Sequence, residues 1–81
     1  MSSEEFKTAA IDVKKLTTKP TDSDLLELYG LYKQATVGDC NTERPGMLDM
    51  KGKYKWDAWN SRKGMTTSES EQKYIAKVNE L

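Results

Sequence analysis

The stretch Tyr29–Asp49, YGLYKQATVGDCNTERPGMLD, decides how this chain folds. Its first half ends an apolar run at helical spacing, with Tyr29, Tyr32 and Lys33 close to one another on the wheel. Its second half, from Val37 to Asp49, is too rich in Gly, Pro, Asn and Asp to continue any regular element. A connection of about a dozen residues is long for a compact domain. Val37, Cys40, Met47 and Leu48 are therefore expected to tie it to a core as an ordered loop.

Working outward, helical signals recur on both sides. Helix 1 starts at Ser2 or Ser3, with Glu5 placed to complete a capping box from Ser2. Phe6, Ala9, Ala10, Val13 and Leu16 form its stripe, and TTKP stops it, because Pro20 drives the preceding residue out of helical angles. Helix 2 restarts after Thr21, with Asp24 at the reciprocal capping position. Leu25, Leu28, Tyr29 and Tyr32 read as its buried stripe, with Leu26 beside it. Gly30 costs a helix about 1 kcal/mol relative to Ala, so its presence suggests close approach of another segment or a ligand. Helix 3 covers Lys51 to Arg62 after an Asp49 cap and is closed by Gly64. Helix 4 follows Thr66, with Glu69 three residues on, and its stripe is Tyr74, Ile75, Val78 and Leu81. No stretch alternates with period two. Four amphipathic helices must bury their stripes on one another, so the class is all-α.

Composition narrows the function. Eighty-one residues make one domain, 1–81, with a modest core. Thirteen basic residues balance thirteen acidic ones, which weighs against a nucleic-acid binder. MSSEEFKTAA has no apolar core of a signal peptide, and no run approaches a bilayer span, so a cytoplasmic protein is expected. There is no histidine and one cysteine. No Ser-His, Cys-His or zinc-ligand set can be assembled, and no phosphate-loop glycine pattern occurs, so no catalytic residue, metal or cofactor is assigned. The acidic residues mostly sit at helix starts, where capping accounts for them.

Two features remain. Residues 51–63 hold Lys51, Lys53, Lys55, Arg62 and Lys63 against the single acid Asp57. A solvated helix face explains such a run, and so does a phosphate site. Tyr29, Tyr32 and Lys33 read either as the wet rim of a core or as a stacking surface with a cation beside it. Trp56 and Trp59, one turn apart, read as core in preference to a stacking platform. Cys40 reads as a small gap-filler.

Read in order, YGLYKQATVGD, NTERPGMLD and KGKYKWDAWN resemble the acyl-CoA-binding protein family over essentially the whole chain, and TTKP and Tyr74 agree. The resemblance implies a four-helix up-down-down-up bundle with a long crossover between helices 2 and 3. It implies a non-catalytic carrier and buffer of medium- and long-chain fatty acyl-CoA thioesters, monomeric, touching membranes or acyl-CoA-using enzymes only transiently and binding no nucleic acid. By position, Tyr29, Tyr32, Lys33, Lys55 and Tyr74 are the implied principal contacts. Lys33 and Lys55 would meet the ribose phosphate and Tyr32 the adenine. Lys14, Lys51 and the Gly30–Leu31 backbone match further positions near the ligand; Ala10 and Leu26 match places near its less polar part. Tyr54 and Cys40 depart from the family's usual small and aliphatic residues. The chain stops at Leu81 where relatives often run on, so helix 4 is expected to fray early. A nucleic-acid-binding helical domain and a protein-interaction module are the rival classes.

Overall fold

The computed structural model describes residues 3–81, and among these there are four α-helices and no strand. α1 spans Glu4–Asp12 and tightens into a 3-10 turn at Val13–Lys15. α2 spans Asp22–Thr36, α3 Met50–Asn60 and α4 Thr67–Glu80. Each start is capped as its sequence dictates. The Ser3 hydroxyl accepts the Phe6 N–H at 3.1 Å; the Ser2 half of the expected capping box lies outside the described residues. Thr21 with Asp24, and Thr66 with Glu69, form complete capping boxes. The Asp49 carboxylate accepts the Gly52 N–H at 2.9 Å. α1 gives up α-geometry after Asp12, short of Leu16, the last residue of its expected stripe, since the chain must already turn towards Pro20. α4 runs to Glu80.

Residue pairings give the directions. Tyr29 meets Lys55 and Lys33 meets Trp59, so α2 and α3 run parallel. Asp24 pairs with Lys77 while Gln34 reaches Met65, so α2 and α4 run antiparallel. Ser3 meets Glu71 and Phe6 meets Tyr74, so α1 and α4 run parallel. The order is up-down-down-up. A parallel α2–α3 pair obliges the chain to travel back the length of a helix, about 20 Å. That is why the connection at residues 37–49 is long.

The core lies between α1, α2 and α4: Phe6, Ala9, Leu28, Leu31, Ala35, Tyr74 and Val78. This corrects the expected stripe of α2. Leu28, Leu31 and Ala35 face inward, whereas Leu25 and Tyr32 are exposed. α2 carries two apolar stripes, and it is the packing of α4 and α1 that chooses which is buried.

α3 joins α2 by close backbone approach. A Cβ on Gly30 would fall on the Ala58 carbonyl, with the carbonyl carbon 2.8 Å away. Of the two readings of Gly30, close approach of a chain segment is the one the structure shows. The described backbone extends over 35 × 29 × 15 Å.

The long loop is ordered, but not by the apolar anchors expected of it. Val37, Met47 and Leu48 are exposed, and Cys40 is half-buried beside Thr42. Polar contacts hold the loop instead. Gly38 adopts φ +102°, the left-handed geometry that ends a helix, and its carbonyl accepts the Trp59 indole N–H at 2.8 Å. Trp56 donates to the Thr42 carbonyl at 2.8 Å. The Asp39 carboxylate accepts the Gly64 N–H at 2.8 Å and a Gln34 amide N–H at 2.9 Å. Arg44 grips Asp57 through two bonds of 3.0 Å. Periodicity cannot reveal such anchors, because each is a single polar contact between residues distant in sequence. Trp59 is buried as expected, while Trp56 keeps part of its ring at the surface.

Candidate functional site

α2 presents its second stripe, Leu25, Tyr29 and Tyr32, to a trough composed of three adjoining hollows. One of about 400 Å³ is lined by Asp22, Leu25, Leu26, Tyr29, Lys51, Tyr54 and Lys55. A second of about 380 Å³ is lined by Ala10, Val13, Lys14, Leu25, Leu28, Tyr29, Tyr32 and Tyr74. A third of about 340 Å³ includes Tyr29, Lys33, Lys55, Pro45, Trp56 and Trp59. Tyr29 is a wall of all three. The hollows are therefore compartments of one surface, with an aromatic ridge between them.

The aromatic side is layered. Tyr74, only 4 % exposed, meets Phe6 edge-on at 5.1 Å between ring centres and Tyr32 at 6.0 Å. Tyr32 stacks on Phe6 at 5.7 Å with planes 26° apart and is 42 % exposed. A half-exposed ring braced from behind suits stacking against a planar ligand. Burial, and secondarily the neighbouring Tyr32, raises the Tyr74 phenol above its ordinary pKa, so it stays a neutral donor.

The cationic side is built from two helices. The Lys33 ammonium lies 4.8 Å from the centre of the Trp59 ring, and the Lys55 ammonium 5.4 Å from that of Tyr29. Both line the third hollow. Lys14 borders the second and Lys51 the first. Among the described residues, none of these four lysines forms an ion pair, whereas Arg44 and Lys77 do. Asp57, two residues from Lys55, is taken by Arg44, whose guanidinium holds its carboxyl below the usual range. The trough thus offers unpaired ammoniums beside aromatic faces and aliphatic walls, an arrangement that suits an anionic ligand with a flat ring and an apolar portion.

Of the residues singled out from the sequence, Lys14, Tyr29, Tyr32, Lys51, Lys55, Lys33 and Tyr74 come together on this trough, as do Ala10 and Leu26. Gly30 and Leu31 do not line it. Gly30 is spent on the crossing with α3, and Leu31 is 1 % exposed inside the core. Sequence reasoning missed Val13 and Leu25 as trough walls. The signal for Leu25 was present: Leu28, Leu31 and Ala35 form a rival stripe at equally good spacing, which leaves Leu25 free to face outward.

Comparison with known proteins agrees with this geometry. The model of the family described as "Acyl CoA binding protein" matches residues 3–78. The acyl-CoA-binding protein homolog of Drosophila melanogaster is 52 % identical over 81 residues, covering 100 % of this chain and 94 % of its own. The crystal structure of Oryza sativa acyl-CoA-binding protein 2 superposes with a TM-score of 0.92 at 47 % identity, over 96 % of this chain and 85 % of that one. That of the Moniliophthora perniciosa ACBP superposes with a TM-score of 0.88 at 44 % identity, over 95 % of this chain and 76 % of that one. With a four-helix fold, a tyrosine-walled cationic trough and matches that span nearly its whole length, this chain belongs to the acyl-CoA-binding protein family.

Proposed function

We propose that the trough binds medium- and long-chain fatty acyl-CoA thioesters and that the protein carries them intact, as a monomer, in the cytoplasm. The observation that supports this best is the position of Tyr29. It joins a hollow with two ammoniums to hollows with aliphatic walls, so one ligand with a charged head and an apolar tail can span them. In this reading Lys33 and Lys55 meet the ribose phosphate, and the adenine stacks on Tyr32. Tyr29 and Tyr74 line the head site, and Lys14 and Lys51 add positive charge at its borders. Leu25, Leu26 and Ala10 serve the less polar part of the ligand.

Magnitudes divide the work. Burying a methylene contributes about 0.8 kcal/mol, so a ~16-carbon tail offers about 12 kcal/mol at most. Ordering the tail and the lysine side chains takes back a share of it. The tail therefore supplies much of the affinity, and the head supplies selectivity. The role is carriage without turnover, with no cofactor or metal taking part, because binding asks only for stacking, charge and apolar contact.

Native mass spectrometry with palmitoyl-CoA, CoA and palmitate in competition tests the reading. One palmitoyl-CoA per chain, CoA bound more weakly and palmitate displaced is the expected result. Preference for palmitate over CoA, or hydrolysis of the thioester on long incubation, would overturn it.

A further inference from the structure

One aromatic wall of the trough has no part in the head site. Tyr54 lines the largest hollow from α3, while Leu25 and Leu26 line it from α2. Tyr54 borders neither the second hollow nor the third. It does not belong to the core, and among the described residues no other ring packs on it. Its ring is 53 % exposed and Leu25 43 %, so both turn apolar surface to solvent over the same hollow. Tyr32 is half-exposed too, but Phe6 and Tyr74 brace it from behind. The packing of the fold therefore accounts for Tyr32 and leaves Tyr54 unexplained.

The three hollows divide the parts of an acyl-CoA among them. Adenine on Tyr32 takes up the second, and a phosphate between Lys33 and Lys55 takes up the third. The largest remains for the tail, which enters past Tyr29, the wall common to all three. Carbons close to the thioester then lie beside Tyr29. Only a longer tail reaches the space bounded by Leu25, Leu26 and Tyr54. A phenol ring offers a broad apolar face there. The stems of Lys51 and Lys55 extend that wall while their ammoniums stay in water. Contact with Tyr54 thus grows with the length of the tail.

We propose that Tyr54 is a specificity-determining residue that makes this chain favour long acyl tails over short ones. Its ring covers the distal methylenes of a long tail against Leu25 and Leu26, and a short acyl group ends before reaching it. The proposal rests on the acyl-CoA reading above and narrows it, since the ligand class becomes long-chain thioesters in preference to medium-chain ones.

Isothermal titration of the parent chain, Tyr54→Ala and Tyr54→Phe with CoA, hexanoyl-CoA, dodecanoyl-CoA and palmitoyl-CoA tests it. Alanine favours a helix, so Tyr54→Ala should keep its helices by circular dichroism. This variant is expected to bind palmitoyl-CoA about tenfold more weakly than the parent. The loss should shrink with dodecanoyl-CoA and fall within about twofold for hexanoyl-CoA and CoA. Tyr54→Phe keeps the ring face and should follow the parent within about twofold at every length. An equal loss at all lengths, CoA included, would place Tyr54 at the head group and overturn the proposal. So would a palmitoyl-CoA affinity that Tyr54→Ala retains or raises, or a Tyr54→Phe variant as weak as the alanine one. Palmitoyl-CoA failing to bind the parent chain would instead overturn the acyl-CoA reading, and the proposal with it.

Discussion

The Lys55 ammonium sits 5.4 Å from the centre of the Tyr29 ring, tying the middle of α3 to the middle of α2. Lys33, one turn further along α2, repeats the arrangement over Trp59. Each aromatic ring holds an ammonium over the same hollow, pre-placed for an anionic group. Lys33→Ala and Lys55→Ala are therefore expected to weaken binding of every acyl-CoA chain length alike. A charge-assisted hydrogen bond is worth about 1.5–3 kcal/mol, or roughly ten- to a hundred-fold in affinity. Isothermal titration with a series of chain lengths checks this. A loss confined to one length would move these lysines away from the head group.

Tyr32 is braced by Phe6 and Tyr74 yet keeps 42 % of its surface in solvent. Tyr32→Ala is expected to cost about 1–3 kcal/mol of ligand affinity through lost stacking. The packing loss against Phe6 is smaller, about 1 kcal/mol. Circular dichroism should show the helices intact, with a slightly lower melting temperature. Unchanged affinity for palmitoyl-CoA would take Tyr32 out of the site.

Gly30 looks like a weak point in a helix, but substitution there is expected to destabilise. Ala would improve helix propensity by about 1 kcal/mol. Its methyl, however, would fall on the Ala58 carbonyl, and two backbones cannot yield as a side-chain tip can. Forcing α2 and α3 apart is expected to leave Gly30→Ala less stable by about 2 kcal/mol or more, read as a lower urea midpoint. Because Lys33 and Lys55 lie on the two displaced helices, ligand affinity should fall with it.

Asp39 anchors the long loop, and its pKa lies below the ordinary carboxylate range, first because of the Gly64 N–H and then because of Gln34. Asp24, Asp57 and Glu69 are lowered in the same direction, by Lys77, Arg44 and Thr66 respectively. A folded-state value below the unfolded one means that the unfolded chain binds more protons in acid. The stabilisation is complete above the unfolded value of about 4 and is lost as pH falls through the folded values. Urea midpoints should hold steady from neutral down to about pH 5 and drop below about pH 4. Asp39→Ala should start lower at neutral pH and show a shallower acid drop. An equal drop in variant and parent would deny Asp39 that role.

Much of this protein is already decided in its linear order. The capping pairs Thr21–Asp24 and Thr66–Glu69, together with Asp49, place three helix starts, because capping is local chemistry between residues three apart. The breaker-rich segment from Val37 to Asp49 implies a long crossover for the same local reason. What lies beyond local chemistry needs the tertiary structure. It chooses Leu28, Leu31 and Ala35 over Leu25 and Tyr32 for the core, since only the packing of α1 and α4 distinguishes two equally spaced stripes. It anchors the loop through Trp56, Trp59, Asp39 and Arg44, although composition points to apolar residues for that task. It also leaves Met47 and Leu48 in the open. Spacing along a chain specifies which residues share a face, but which face is covered depends on partners that arrive from elsewhere in the sequence.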